Sequence, residues 1–125
     1  MAGSSGSLHE SESVLKPETI DRHRAVVSIM EELEAVDWYD QRIDAATDQE
    51  LKELLAHNRD EEKEHAAMML EWLRRHDAKL DEHLRTYLFT NKRLLAIEEE
   101  AEGKAEAGDK SSCGDGSLGI GSLRK

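Results

Sequence analysis

The sequence predicts an all-α fold: a two-helix antiparallel hairpin followed by a short third helix. Three observations carry that expectation. Charged residues make up 36% of the 125-residue chain and hydrophobic residues 38%, with a single proline, a balance that suits long amphipathic helices better than strands. Apolar residues recur at helical spacing over two stretches of similar length. A short break, Ala45-Ala46-Thr47-Asp48, separates the two stretches.

At this length one domain is expected. The formal net charge of -11 argues against nucleic acid as a partner and suits either the gathering of cations or a solvated acidic surface. The lone Cys113 has no partner for an internal disulfide, and the chain has neither a signal-like segment nor an apolar run of membrane-spanning length. A reducing cytoplasm without membrane attachment is therefore the expected compartment.

Residues 1–14 are expected to be disordered, because Met1 through Ser7 carry too little apolar surface to pack. A helical domain is expected over 15–97. Pro17 fits a first helical turn, where its missing N–H would lack a partner, and Glu18 and Asp21 suit the positive end of the dipole. The first helix then runs over 17–44. Winding at about 100° per residue puts Ala25, Ile29, Glu32, Val36, Tyr39 and Ile43 on one face, with Ser28 and Ala35 at its edge. Glu32 thus stands in an apolar stripe, where a carboxylate is costly unless paired, protonated or metal-bound. A hydrogen bond to a Ser, Tyr or Arg across an interface would answer that cost as well as a metal. The opposite side carries Ile20, Val27, Met30 and Trp38, so self-association through more than one surface is expected.

Thr47 with Glu50 has the form of a capping box and starts a second helix over 48–75. Its inner face reads Leu51, Leu55, Asn58, Glu62, His65, Ala66, Met69 and Leu73, apolar at both ends and polar in the middle. Glu62 and His65, three residues apart, share that face. Glu32 lies about fifteen residues before the turn and Glu62 about fifteen after it, so an antiparallel hairpin sets them at one level. A plain surface hydrogen bond between Glu62 and His65 would use the same spacing.

Two glutamates and one histidine leave a metal ion under-coordinated. Ferritin-like di-iron proteins use two Glu-x-x-His pairs and two further glutamates inside a four-helix core. Two hairpins related by a two-fold axis would complete a ferritin-like four-helix bundle by dimerisation, with Glu32, Glu62 and His65 present twice. Carboxylate oxygens and imidazole suit iron, with manganese, zinc or calcium as substitutes. Oxidation of Fe(II) to Fe(III) is the chemistry such a site would support.

From Glu31-Glu32-Leu33-Glu34-Ala35-Val36-Asp37-Trp38-Tyr39-Asp40, through His57-Asn58-Arg59-Asp60-Glu61-Glu62-Lys63-Glu64-His65, to Trp72-Leu73-Arg74-Arg75, the chain closely resembles the encapsulated ferritins, ferroxidases held inside encapsulin shells. The resemblance implies Glu32, Glu62 and His65 as ligands of a ferroxidase centre at a dimer interface, with two iron ions per interface. It implies Tyr39 beside the metals, and Glu31, Glu34 and Trp38 along a route by which metal enters. It also implies dimers assembled into a decameric ring, which oxidises iron while the shell supplies the storage volume. On their own residue types, Glu31 and Glu34 suit a solvated acidic face equally, and Tyr39 suits an ordinary amphipathic core.

Asp77 is the expected cap of a third helix that packs against a neighbour, on which Leu80, Leu84, Tyr87 and Leu88 repeat at helical spacing to about Phe89. His76 and His83 are read as surface histidines. Leu94 to Ile97 suggest one further apolar turn, and 98–115, rich in Gly, Ala, Lys, Glu and Ser, is expected as a flexible linker. In 116–125, Leu118, Ile120 and Leu123 regain apolar character among glycines and serines. That pattern suits a docking segment or a frayed tail. Ser117-Leu118-Gly119-Ile120-Gly121-Ser122-Leu123 also resembles the targeting peptide by which cargo binds encapsulin shells. The expected function is a ferroxidase delivering iron for mineral storage in the lumen of an encapsulin nanocompartment. The alternatives are a metal-binding cargo without turnover and a structural helical oligomer.

Overall fold

The structure, a computed structural model, describes residues 6–112. Among them every regular element is helical: a 3-10 turn over Glu12–Val14, then α1 (Pro17–Ala45), α2 (Gln49–Arg75), α3 (Ala78–Tyr87) and α4 (Leu94–Ser112). The chain forms two compact units, the first ending at Ala78 and the second beginning at Lys79.

In the first unit α1 and α2 pack against each other as a hairpin. Pro17 opens α1 at its first turn, as its fixed φ and absent N–H favour. The expected inner face is borne out: Ala25 is buried, and Ile29, Glu32, Val36, Tyr39 and Ile43 are half-buried. On α2, Ala66 is buried and Leu55, Glu62, His65, Met69 and Leu73 are half-buried, whereas Leu51 and Asn58 are exposed. The two buried residues of the hairpin are both alanines, at 2% and 8% exposure. A pair of helices alone encloses little core, and Met30, Leu33, Trp38, Leu54 and Met68 keep 40% or more of their surface exposed.

The cap of α2 differs from the expected Thr47–Glu50 box. Asp48 is the N-cap, its carboxylate accepting from the Leu51 backbone N–H at 2.9 Å. Asp48 stands one residue nearer the helix than Thr47, so its oxygen meets the N–H three residues on. The N-terminal segment also departs from full disorder. Ser11 caps the turn over Glu12–Val14, accepting from the Ser13 N–H at 3.4 Å.

At the far end of α2, Glu71 accepts from Arg74 Nε and Nη2, both at 2.8 Å, and from Arg75 Nε at 2.6 Å. These bonds, Arg74's first, hold the Glu71 pKa down to about 2. Because the folded pKa lies below the unfolded one, the carboxylate's stabilisation is present above the unfolded pKa and is lost as pH falls through about 2. Its side chain is 42% exposed, so salt screens the effect. A carbon-detected NMR titration should find the Glu71 carboxylate titrating at about 2 at low salt and moving upward at high salt. A Glu71 carboxylate that titrates at its ordinary value of 4.5 at low salt would contradict the bonding.

In the second unit α3 ends where Phe89 takes φ 61°, the left-handed position that usually follows a helix and is usually glycine. The strain of a bulky residue there costs about 1–2 kcal/mol. The stretch 98–112, expected as part of a flexible linker, is instead helix, within α4. Ala101, Glu102 and Lys104 are strong helix formers, and Glu100 accepts from Lys92 Nζ, just ahead of the helix, at 3.3 Å. The polar composition suits solvent, and helix propensity decides the backbone. Gly103 interrupts this run, and a Cβ added there meets nothing within 4 Å. Gly103→Ala should therefore stabilise α4 by about 1 kcal/mol and raise the helical circular dichroism signal; an unchanged signal would point to a coil.

Candidate metal centre

The long inner faces of α1 and α2 set the donors. Glu32 comes from the middle of α1, Glu62 and His65 from the middle of α2. One oxygen of each carboxylate and one ring nitrogen of His65 all lie within 4.8 Å of one another. His65 Nδ1 is 3.4 Å from Glu62 Oε1 and 3.9 Å from Glu32 Oε1. Neighbouring ligand atoms around a six-coordinate ion with bonds of about 2.1 Å stand about 3 Å apart. Small side-chain rotations would close the group onto a cation. Side-chain exposures of 20% for Glu32, 28% for Glu62 and 43% for His65 leave one side of the cluster open. The donor set is two hard anionic oxygens and one imidazole, which fits a divalent first-row metal.

Tyr39 is half-buried on the Glu32 face, and Trp38 is 48% exposed beside it. Arg42, one turn on, places its guanidinium 5.5 Å from the Tyr39 ring centre and 5.9 Å from that of Trp38, a cation–π contact with both. Glu31 and Glu34 are exposed. Among the described residues the metal-competent cluster is Glu32, Glu62 and His65, and Glu31 and Glu34 join no such group within one chain. Leu118, Ile120 and Leu123 lie outside the described residues.

Two features of the hairpin went unread in the sequence. Arg59 of α2 donates from Nη1 to Asp40 of α1 at 3.0 Å and from Nε to its neighbour Asp60 at 3.1 Å. Both carboxylates, Asp40 foremost, raise the guanidinium pKa. At the open end of the hairpin, Arg22 Nη1 donates to the His76 carbonyl at 3.5 Å. The His76 ring stacks on Trp72 with centroids 3.8 Å apart and its Nδ1 2.8 Å from the Trp72 carbonyl, so it caps the helix end rather than standing free. The Trp72 to His76 spacing of one helical turn was the available signal.

A helical hairpin whose facing helices converge two carboxylates and an imidazole is, as a class, a half-bundle with a candidate metal site. The EncFtn-like family profile matches residues 7–91. The chain belongs to that family. It is 66% identical to an "Encapsulated ferritin-like protein" of Rhodospirillum rubrum, over 99% of this chain and 92% of that protein. It is 53% identical to a "Ferritin-like protein" of Thermotoga maritima, over 78% of this chain and 86% of the relative. The crystal structure of protein ne0167 from Nitrosomonas europaea superposes with a TM-score of 0.68 at 59% identity, covering 70% of this chain and 97% of the other. No helix among the described residues is long and apolar enough to cross a membrane.

Proposed function

We propose that the chain is a ferroxidase whose site forms between two copies and whose product is mineralised inside an encapsulin shell. The observation that carries this reading is the convergence of Glu32, Glu62 and His65 donor atoms within 4.8 Å. The substrate is Fe(II). Each hairpin offers half of the donors, and a two-fold partner supplies the rest, so that a pair of ions lies between facing helices. Carboxylates favour the more highly charged ion, so Glu32 and Glu62 bias bound iron toward Fe(III), while His65 adds a neutral donor that fixes orientation. Two Fe(II) ions each lose one electron; dioxygen accepts both with two protons and leaves as hydrogen peroxide. Tyr39, two turns from Glu32 on the same face, lies alongside the reacting ions. Glu31, Glu34 and Trp38 of two chains together form the route by which iron reaches them, and dimers associate into a decameric ring.

Delivery to the shell is supported by the Rhodospirillum rubrum relative's name and by the apolar pattern of Leu118, Ile120 and Leu123. Those side chains dock on the inner wall, which places the ring in a cytoplasmic compartment with room for mineral. The test is the initial rate of Fe(II) oxidation under air by metal-stripped protein, set against iron in buffer. A rate well above the blank is expected. A correctly assembled protein that oxidises iron no faster than buffer would instead be a metal-binding cargo without turnover.

A further inference from the structure

We infer that the Asp40–Arg59 ion pair is a positioning clamp that sets the register of α1 against α2 and so holds Glu32 opposite Glu62 and His65. The inference rests on the metal-site reading above.

Hydrophobic burial alone leaves that register loose. The inner face of α1 is interrupted by Glu32, and the helix carries further apolar residues, Met30 and Trp38, on another side. Two buried alanines lock little by shape. The larger apolar residues of the seam, Ile29, Val36, Ile43, Leu55 and Met69, are only half-buried, so they hold the register less tightly than a close-packed core would. One residue of slip moves each donor about 1.5 Å along the axis and turns it about 100°. The Arg59 side chain is 25% exposed and Asp40 54%, so the pair adds little stability; what it contributes is a cross-helix contact that only one alignment of α1 and α2 satisfies.

The Asp40–Arg59 geometry fits that task. Asp40 is seven residues before Thr47 and Arg59 twelve after it, an axial offset of about 7.5 Å. Side chains lean toward the N-terminus of their own helix, so Arg59 leans toward the turn and Asp40 away from it. The lean and the length of arginine close the offset to 3.0 Å. Asp60 takes the Nε side of the same guanidinium at 3.1 Å and is itself 3.8 Å from Lys63 Nζ, which fixes the arginine fork. Arg59 stands three residues, one turn, before Glu62. On the other side of the donors, the Arg22 to His76 carbonyl bond ties the open end. The donors lie between two cross-helix ties.

The test uses Co(II), whose visible spectrum reports coordination geometry, bound to the full-length protein. Arg59→Ala should weaken Co(II) binding measurably, by less than the roughly tenfold to hundredfold lost when a group bonded directly to a metal ligand is removed, and should alter the spectrum. Its helicity and thermal midpoint should stay near wild type. The charge-swapped pair, Asp40→Arg with Arg59→Asp, should recover binding and spectrum. Arg24→Ala, which breaks an exposed pair within α1, should bind as wild type and controls for charge. Unchanged binding by Arg59→Ala, a loss that merely follows unfolding, an equal loss in Arg24→Ala, or a folded swap without recovery would each overturn the clamp. A wild-type protein that binds no Co(II) would overturn the metal site itself, and the clamp with it.

Discussion

Replacing Glu62 and His65 together by alanine should lower Fe(II) oxidation to the rate of iron in buffer. Each hairpin would retain a single donor, Glu32, and a two-fold pair of hairpins would offer two carboxylates where the wild type offers four carboxylates and two imidazoles. Iron in such a site remains largely hydrated and loses the ligand field that favours Fe(III). The variant should still fold. Both positions lie well inside α2, alanine is the best helix former, and neither side chain supplies apolar packing. Circular dichroism should match wild type while the oxidation rate falls to background. Glu32→Ala should do nearly the same from the other helix. Retained oxidation by a folded double variant would place the chemistry elsewhere in the chain.

The second large effect concerns assembly. Metal-stripped protein should run mainly as the smaller species in light scattering, and adding Fe(II) without air, or Co(II), should at least double its mass. In the proposed two-fold dimer Glu32 and Glu62 would face their mates, and without metal that interface would gather carboxylates. Each facing pair at about 4 Å repels by roughly 1–4 kcal/mol, depending on how far water is excluded. A divalent cation turns that repulsion into shared ligation, so binding and association are linked. The exposed Leu33, Leu54 and Met68 give the hairpin apolar surface to bury once the charge is met. Glu32→Gln with Glu62→Gln should associate without metal and respond little to it. Equal masses with and without metal, in wild type and variant alike, would show that association is driven by apolar contact alone.

Much of this arrangement could be read from the chain. Helix limits followed from Pro17 and the break before Asp48, and counting residues from the turn put Glu32 level with Glu62, because two helices of equal rise joined by a short loop have little other choice. The short loop fixes that level only to within about a turn and leaves the finer register to side chains such as Asp40 and Arg59, which the counting missed. Equal distance from the turn is a rule for backbones, and a long side chain leaning along its helix reaches a partner several residues out of step. The α2 cap was displaced by one residue because Thr47 and Asp48 are both capable caps and spacing alone does not choose between them. Residues 98–112 show the limit of composition: Ala, Glu and Lys are at once solvating and helix-forming, and α4 followed the second property.

Whether Glu32, Glu62 and His65 from two chains share bound iron is tested most directly by anomalous diffraction at the iron edge, from crystals of the full-length protein loaded with Fe(II). The expected map shows iron on a two-fold axis or paired across one, with Glu32, Glu62 and His65 of both chains within bonding distance. Iron bound by a single hairpin, or found away from these residues, would contradict the account.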